Sequence, residues 1–414
     1  MTRKSRNVVV TGVGVLSSIG CGRAEFWEAL VSGVSGVRPI QAFDPSSHKT
    51  RIASEVLFFR PETVLGHKQI RRMARVSQFA VCAAFDAVRD AGLNLETENL
   101  ARIGCVIGSA AGDYHDLEEQ HLRFRDKGPG SVNALTIPKV IPNMPACNVA
   151  INLGLRGANL GVSTACATGA HAIGMALAIL RQGWADVVLA GGAESTITPF
   201  VLDGYSCMGV LSQGNDHPEA ASRPFDLNRD GFVMGEGAGV LVLETREHAI
   251  NRRAEILAAL SGFGMSCDAY NIAIPEPTGT AAAMAMESAL KDAGLNPEDV
   301  AHINAHGTST KVNDRVETHA IHKVFGAHAQ RVEVTSIKSM IGHTLGAAGG
   351  IEAAATVLSL NQGVIPPTLN YDARDPECDL NIVAKEARKV NLKAAISNSF
   401  GFGGQNGVLV FTKA

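Results

Sequence analysis

Short apolar runs alternate with longer amphipathic stretches along most of the 414 residues, and this pattern predicts strands and helices in turn. A strand is predicted over 7–10, followed by a glycine turn, a helix over 23–32 and a longer helix over 70–91. Further strands are predicted over 103–107 and 184–190, with a helix between them after Gly174. This alternation is typical of layered α/β folds, in which helices cover largely parallel sheets.

The stretch over 113–145 lacks that periodicity. It is rich in charged residues, glycine and proline. We therefore interpret it as an irregular insertion in the first half of the chain, lying over a surface or a partner.

A segment of the first half of the chain recurs in the second. Ala87-Val-Arg-Asp-Ala-Gly-Leu-Asn94 and Ala289-Leu-Lys-Asp-Ala-Gly-Leu-Asn296 both end a predicted helix, and each leads into a predicted strand. This similarity predicts a duplicated chain, which we divide into halves over 1–256 and 257–414. Because Ala-Gly-Leu is a common helix ending, a chance match is the alternative.

Composition and charge narrow the classes of function. Hydrophobic residues make up 46% of the chain, and 37 basic residues against 40 acidic ones leave a net charge of -3. This balance gives no reason to expect a nucleic acid or an anionic membrane as partner. The eight cysteines form no Cys-x-x-Cys pair, so neither a metal site nor a disulfide framework is indicated, and we expect a cytoplasmic protein.

The first residues superficially resemble a signal peptide, since Arg3 and Lys4 precede an apolar run over 8–16. Thr11 and Gly12 interrupt that run, and a strand with a glycine turn explains it as well. No stretch approaches the roughly 20 apolar residues that a membrane span needs.

Cys166 is the first candidate for chemistry. It lies in the small-residue stretch Val162-Ser-Thr-Ala-Cys-Ala-Thr-Gly-Ala-His-Ala-Ile-Gly174, where a strand is expected to turn into a helix. A helix N-terminus favours a thiolate, so we expect a lowered thiol pKa and a nucleophile. The alternative is a buried cysteine that only fills space.

Three stretches of the second half contain partners for such a thiol. Asn304-Ala-His-Gly-Thr-Ser-Thr310 places His306 at a strand end, and the stretch over 335–352 supplies Lys338, His343 and Glu352. A glycine-rich stretch over 397–406 offers backbone N–H groups. A thiol, two imidazoles and backbone amides suit acyl transfer through a thioester, in which the imidazoles donate to a developing enolate.

These motifs together resemble those of the β-ketoacyl-acyl-carrier-protein synthases, in particular the elongating synthase II class of the thiolase-like superfamily. The resemblance extends over essentially the whole chain, and its motifs stand in the family's order: Ser-Thr-Ala-Cys166, Arg223-Pro-Phe-Asp-Leu-Asn-Arg-Asp-Gly231, Asn-Ala-His306-Gly-Thr-Ser-Thr, Lys338 with Gly-His343, and Asn398-Ser-Phe-Gly-Phe-Gly-Gly404. It implies a duplicated thiolase-like α/β fold, layered α-β-α-β-α with two mixed sheets. A synthase that starts from acyl-CoA would carry Asn at position 343, and a thiolase a second cysteine.

The resemblance implies an acyltransferase that elongates an acyl chain by two carbons in fatty acid synthesis. Cys166 would accept the chain from the phosphopantetheine thiol of acyl carrier protein. His306 and His343 would support decarboxylation of malonyl-carrier protein and stabilise the enolate, while Lys338 and Glu352 would hold the histidines in their charge state. No dissociable cofactor and no metal is implied.

Further residues receive roles only through the resemblance. The N–H groups of Cys166 and Phe402 would form an oxyanion hole, with Phe402 also acting as a gate. Ala111 stands where long-chain synthases often have a bulkier residue beside the acyl tunnel, and Ala273 and Gly209 replace a Thr and an Arg that often help to bind pantetheine and carrier. The pantetheine and the substrate would also be bound by Thr308, Thr310, Tyr205 and Phe400.

The implied partners are acyl carrier protein and a second subunit. Lys68, Arg71 and Arg72 match the basic dock for an acidic carrier helix, although a solvated helix start would look the same. A homodimer is expected, with a heterodimer containing a homologous subunit as the alternative. The alternative function is that of the ketosynthase subunit of a type II polyketide or polyene pathway, paired with a chain-length factor. Such a factor itself typically lacks the nucleophile, so Cys166 argues that this chain is not one.

Overall fold

A long mixed sheet runs through the protein in the computed structural model, which describes residues 6–414; Arg3 and Lys4 lie outside the described residues. The strands are β1 (Val8–Ser17), β2 (Gly20–Cys21), β3 (Arg38–Pro39), β4 (Ile52–Ala53), β5 (Ile103–Gly108), β6 (Asn159–Leu160), β7 (Val187–Glu194), β8 (Gly237–Thr245), β9 (Ala258–Cys267), β10 (His302–Asn304), β11 (Glu333–Thr335), β12 (Val364–Ile365), β13 (Arg388–Lys389), β14 (Ala394–Gly401) and β15 (Gln405–Thr412). The helices are α1 (Arg23–Val31), α2 (His67–Arg72), α3 (Arg75–Asp90), α4 (Tyr114–Lys127), α5 (Thr136–Val140), α6 (Met144–Leu153), α7 (Thr168–Arg181), α8 (Pro199–Cys207), α9 (Arg246–Asn251), α10 (Thr280–Ala293), α11 (Lys311–Phe325), α12 (Lys338–Ile341) and α13 (Ala348–Gln362).

Ten of the eleven strands of the long sheet form two five-stranded parts with the same internal order, and the short β2 pairs with the end of β1. One part runs β6-β5-β7-β8-β1 and the other β11-β10-β14-β15-β9. In each part the first two neighbouring pairs are parallel and the last two antiparallel. The parts join where the first three residues of β1 pair with residues 258–260 of β9. The predicted duplication and its two mixed sheets are confirmed, and the two sheets are continuous.

Helices cover both sheet parts and separate them. Helices α7 and α13 lie between the parts, and α13 contacts β7 and β8 of one and β14 and β15 of the other. Helix α3 covers the outer face of the first part, and α10 covers that of the second. Every residue of α13 from Ala348 to Leu360 is buried, as expected for a helix with a sheet on either side. These are the five layers that the resemblance implied.

The predicted glycine turn after residue 10 is wrong. Gly12 and Gly14 lie inside β1, which continues to Ser17. A Cβ atom on Gly12 would lie 2.3 Å from the carbonyl oxygen of Ala87, and one on Gly14 would lie 1.9 Å from that of Ala83. Both carbonyls belong to α3, so the glycines allow this helix to lie directly against the strand.

Two other predictions need correction. The helix predicted over 70–91 is interrupted, because Met73 and Ala74 are extended between α2 and α3. The segment over 113–145 is largely helical, since it contains α4, α5 and the start of α6. Gln120 is the buried residue of α4, so this helix lacks the apolar stripe by which a helix is recognised in sequence. No helix within residues 6–414 is long and apolar enough to cross a membrane.

The contact between β1 and α3 gives a stability prediction. We expect Gly14→Ala to lower the melting temperature strongly, because the added methyl group must displace the helix backbone at a cost of about 3 kcal/mol or more. Gly204→Ala in α8 is the matched control: a Cβ atom there meets nothing within 4 Å, and helix propensity favours alanine by roughly 1 kcal/mol. Thermal unfolding of the two variants tests this, and a melting temperature for Gly14→Ala at or above that of the original protein contradicts it.

Candidate active site

Cys166 lies in a sharp turn just before α7. It precedes Ala167, the N-cap of that helix, and follows Ala165, whose φ of 48° is rare for a residue with a side chain. The side chains around it hold the turn: Thr164 Oγ1 lies 2.8 Å from His171 Nδ1, and the Thr164 N–H donates to Thr168 Oγ1 at 2.8 Å. The predicted position at a helix N-terminus is therefore correct.

The glycine-rich segment over 401–404 approaches this turn closely. A Cβ atom on Gly401 would lie 2.8 Å from the Thr164 carbonyl oxygen and 3.3 Å from the Cys166 nitrogen, so a side chain at this position would push the segment away. The backbone N–H of Phe402 donates a hydrogen bond to the Cys166 sulfur. The segment thus presents an amide donor to the thiol, as an oxyanion hole requires.

Both candidate histidines border the same cavity as Cys166. The cavity has a volume of about 300 Å³ and includes all three residues in its wall. The rings of His306 and His343 meet edge to face, with centroids 5.3 Å apart and planes at 85°. His306 is placed at the end of β10 and His343 just after α12, so the second half of the chain supplies both imidazoles.

The hydrogen bonds to the two rings fix their tautomers. Lys338 Nζ lies 3.5 Å from His306 Nδ1 and donates to the His306 carbonyl oxygen at 2.7 Å. The Leu345 N–H donates to His343 Nδ1 at 3.3 Å. An ammonium group and an amide N–H can only donate, so both Nδ1 atoms accept. Each ring therefore carries its proton on Nε2, as a hydrogen-bond donor.

Burial keeps both imidazoles neutral. It is the main cause that lowers the pKa of His306 and of His343 well below the usual value, and the positive charge of Lys338 lowers both further. Lys338 itself forms a fully buried ion pair with Glu352, whose pKa burial raises. The resulting site holds two neutral donors beside one paired cation.

The pKa of the Cys166 thiol differs from the prediction. Burial raises the pKa of Cys166 to about 11, and the opposing effects of the Lys338 charge and the Phe402 N–H do not offset it. The expectation of a lowered pKa is therefore wrong, because it considered the helix terminus and left out the removal of the sulfur from water. At neutral pH the resting residue is a thiol.

This raised pKa predicts how the reactivity of Cys166 depends on pH. Below pH 11 the thiolate fraction rises with pH, so alkylation of Cys166 by iodoacetamide is expected to accelerate about tenfold per pH unit between pH 7 and 9. Mass spectrometry of the peptide containing Cys166 separates its reaction from that of the exposed Cys207 and Cys267. A rate that levels off below pH 8 would show a lowered pKa, and a rate that levels off near pH 9 would show an ordinary one.

The predicted substrate-binding residues lie at two cavities that share wall residues. The cavity at the histidines is also bordered by Thr308, Thr310, Tyr205, Phe400 and Phe402, with Gly209 and Ala273 in its wall. A second cavity of about 450 Å³ shares Cys166, Tyr205 and Phe402 with the first and is bordered by Ala111. Lys68, Arg71 and Arg72 are exposed on α2 and belong to neither wall.

Sequence reasoning missed two buried carboxylates that hold the site's loops. Glu317 of α11 accepts from the N–H groups of His306 at 2.8 Å and Gly307 at 2.7 Å. Glu194, the last residue of β7, accepts from the N–H groups of Ala110 at 2.8 Å and Gly346 at 3.1 Å. Burial raises the pKa of each to about 7. A carboxylate at the end of an otherwise apolar strand was the available signal for Glu194. Glu317 shares the buried face of α11 with Asp314 and Thr318, so no such signal marked it.

The regions of the chain that match known proteins include Cys166, His306 and His343. Family models for the N-terminal and C-terminal domains of beta-ketoacyl synthase match residues 5–249 and 257–372. The chain is 46% identical over 410 residues to a protein of Synechocystis sp. named 3-oxoacyl-[acyl-carrier-protein] synthase 2, covering 99% of each chain.

Solved structures similar to this chain are also ketosynthases. The ishigamide ketosynthase/chain length factor matches with a TM-score of 0.94 at 35% identity, covering 99% of this chain and 100% of the other. A type II polyketide synthase ketosynthase, bound to the hexaketide and in complex with its acyl-carrier protein, matches with a TM-score of 0.93 at 35% identity and the same coverage.

Proposed function

The chain belongs to the β-ketoacyl synthase family, and we propose that it condenses malonyl-acyl-carrier protein with an acyl chain held as a thioester on Cys166. The product is a 3-oxoacyl chain two carbons longer. The observation that carries this proposal is the shared cavity, in which one thiol faces two imidazoles that both donate from Nε2. Both substrates arrive on the phosphopantetheine of a carrier protein, so no dissociable cofactor takes part.

Loading transfers the acyl chain to the sulfur. The Cys166 sulfur attacks the carbonyl carbon of the incoming thioester, and the bond from that carbon to the pantetheine sulfur breaks. The N–H groups of Cys166 and Phe402 stabilise the oxyanion of the tetrahedral intermediate. The proton of the Cys166 thiol leaves with the pantetheine thiol, so loading needs no further proton source.

Condensation begins with the loss of carbon dioxide from the malonyl group. The Nε2–H groups of His306 and His343 donate to its thioester carbonyl, so the electron pair of the broken carbon–carbon bond is held as an enolate. The enolate carbon attacks the acyl thioester on Cys166, and the cysteine sulfur leaves. This sulfur takes up one proton from solvent and returns to the resting thiol. Thr308 and Thr310 contact the pantetheine arm during these steps.

Fatty acid elongation is the pathway we propose. The relative from Synechocystis sp. carries the corresponding name and is more similar in sequence than the polyketide ketosynthases found among solved structures, at 46% against 35% identity. The polyketide or polyene pathway remains the second candidate, because those structures superpose over the whole chain. We also propose a cytoplasmic location and two halves over 1–256 and 257–414.

The carrier protein is proposed to dock on the exposed basic helix α2. Reversal of two charges, Arg71→Glu with Arg72→Glu, is expected to slow loading from acyl-carrier protein about tenfold or more, because close charge pairs across an interface speed association and slow dissociation. Loading from a small acyl thioester without carrier should not change. The matched control is Lys389→Glu with Lys393→Glu, two exposed positions outside both cavity walls. If the two double variants load Cys166 from acyl-carrier protein at the same rate, the proposal that the carrier docks on α2 is refuted.

A homodimer is proposed along the β6 edge of the sheet. Among the described residues β6 pairs only with β5, and both of its residues are exposed. The adjoining helices α4, α5 and α6 present large apolar side chains to solvent: Leu117, Leu122, Phe124, Ile137 and Ile151. Exposed apolar surface beside an open strand edge is typical of a subunit interface. A heterodimer with a homologous subunit would use the same surface.

The proposed function is tested by incubating the full chain with octanoyl-carrier protein and malonyl-carrier protein. We expect 3-oxodecanoyl-carrier protein and carbon dioxide in equal amounts, and no product with Cys166→Ala. Product formation by Cys166→Ala at the original rate, or release of carbon dioxide without any longer chain from the original protein, would contradict the proposal.

A further inference from the structure

The turn over 307–311 carries the two threonines that the proposed function assigns to pantetheine. Thr308 and Thr310 border the cavity at Cys166, and their hydroxyl oxygens lie 3.0 Å apart. Thr310 Oγ1 also accepts from the Asn313 N–H at 3.2 Å. Because one hydroxyl proton joins the two threonines, the pair has a second proton to offer to a ligand in the cavity.

The backbone of this turn is strained at its centre. Ser309 lies between the two threonines, is fully buried and has a φ of 69°, which a residue with a side chain rarely adopts. Such a conformation is unfavourable by itself, so it persists only where the surrounding structure holds it. The positions of both threonine hydroxyls therefore depend on contacts from outside the turn.

Those contacts come from the motif over 223–231. The Arg223 N–H, at one end of the motif, donates to Ser309 Oγ at 2.9 Å. The Gly231 N–H, at the other end, donates to the Ser309 carbonyl oxygen at 3.1 Å. The motif thus holds the strained residue by its side chain and by its backbone.

Arg229, within the same motif, holds the residues that follow Ser309. Its side chain is 2% exposed, and it forms ion pairs with Asp314 and Asp375. Its Nε donates to the Thr310 carbonyl oxygen and its Nη2 to that of Lys311, both at 3.1 Å. A planar guanidinium fixes two adjacent carbonyl groups at once, whereas a lysine ammonium is a single point of charge.

We propose that Arg229 is a positioning residue for pantetheine binding, which holds the turn over 307–311 so that both threonine hydroxyls face the arm. Arg229 borders neither cavity, so it acts through the carbonyl groups of Thr310 and Lys311 and not by touching substrate. The inference rests on the proposed function, because it concerns the arm that brings acyl groups to Cys166. One neutral hydrogen bond to the arm corresponds to about a fivefold preference.

The test compares loading of Cys166 with and without the arm. The full chain is incubated with hexanoyl-pantetheine or with S-ethyl hexanethioate, whose leaving thiol has no polar group, and intact mass gives the rate of acylation. The original protein is expected to prefer hexanoyl-pantetheine. In Arg229→Lys, which keeps the charge, this preference should fall about fivefold through a higher KM, with kcat unchanged. Loading from S-ethyl hexanethioate should not change.

A second variant and a matched control accompany it. Ser309→Ala removes the acceptor of the Arg223 N–H and should lower the preference as well, since it loosens the same turn by another contact. Arg252→Lys is the control, because the Arg252 guanidinium also donates to two adjacent carbonyl groups, those of Ala91 and Gly92, and pairs with a buried carboxylate. It lies outside both cavity walls and should keep the original preference.

An unchanged preference in Arg229→Lys would overturn the inference. An equal loss of loading from both thioesters would also overturn it, because that result shows a general effect on the fold. The same holds if the original protein loads from both thioesters equally, since no recognition of the arm would then exist. These results leave acyl transfer to Cys166 intact, whereas failure of hexanoyl-pantetheine to acylate Cys166 would contradict the proposed function and the inference together.

Discussion

Replacing either His306 or His343 with alanine is expected to lower the rate of condensation about 100- to 1,000-fold. Each ring is neutral and donates from Nε2 into the cavity that contains Cys166. The negative charge that develops on the malonyl thioester oxygen loses one of its two donors in either variant. Loading of Cys166 should fall much less, because the amides of Cys166 and Phe402 stabilise its oxyanion.

The two steps can be measured separately. Intact mass follows acylation of Cys166, single-turnover release of carbon dioxide follows decarboxylation, and formation of 3-oxodecanoyl-carrier protein follows condensation. His328→Ala is the control, because this half-buried histidine hydrogen-bonds the Val300 carbonyl oxygen away from both cavities. If a variant of either active-site histidine decarboxylates malonyl-carrier protein at nearly the original rate, or loses loading and condensation equally, the assigned roles fail.

Lys338→Met is expected to reduce both stability and condensation. Lys338 and Glu352 are each 1% exposed and pair with one another, so the substitution leaves a carboxylate without its cation in the interior. Breaking a buried pair in this way costs about 3–5 kcal/mol. The variant also loses the donor next to His306 Nδ1, so the ring is free to move its proton from Nε2 and condensation should fall.

A second substitution separates these two effects. Adding Glu352→Gln to Lys338→Met removes the unpaired charge, so the melting temperature should recover in large part. Condensation should stay low, because His306 Nδ1 still lacks its cationic neighbour. Thermal unfolding and single-turnover kinetics of the single and double variants test this. Recovery of condensation together with stability would show that Lys338 acts on folding alone.

The order of elements was predictable from the sequence because it depends on local pattern. The alternation of strands and helices and the repeated segment around Asp90 and Asp292 indicated a duplicated α/β fold, and both parts of the sheet have the same strand order. The glycines of β1 were misread, because their role depends on a helix some 70 residues further along the chain. The polar helix α4 was missed because one of its residues alone is buried.

The site was predictable in its residues and less so in its electrostatics. Cys166, His306 and His343 stood out because each lies among small residues at the end of a predicted element, and the structure places all three around one cavity. The direction of the Cys166 pKa shift was not predictable, since desolvation depends on everything packed around the sulfur.

The central claim is that Cys166 carries the acyl chain between the two steps. The most direct measurement treats the full chain with octanoyl-carrier protein, locates the adduct by peptide mass spectrometry, and then adds malonyl-carrier protein. We predict one octanoyl group on Cys166, which disappears at the rate at which 3-oxodecanoyl-carrier protein forms. An adduct on another cysteine, or product that forms while the octanoyl group stays on Cys166, would contradict the account.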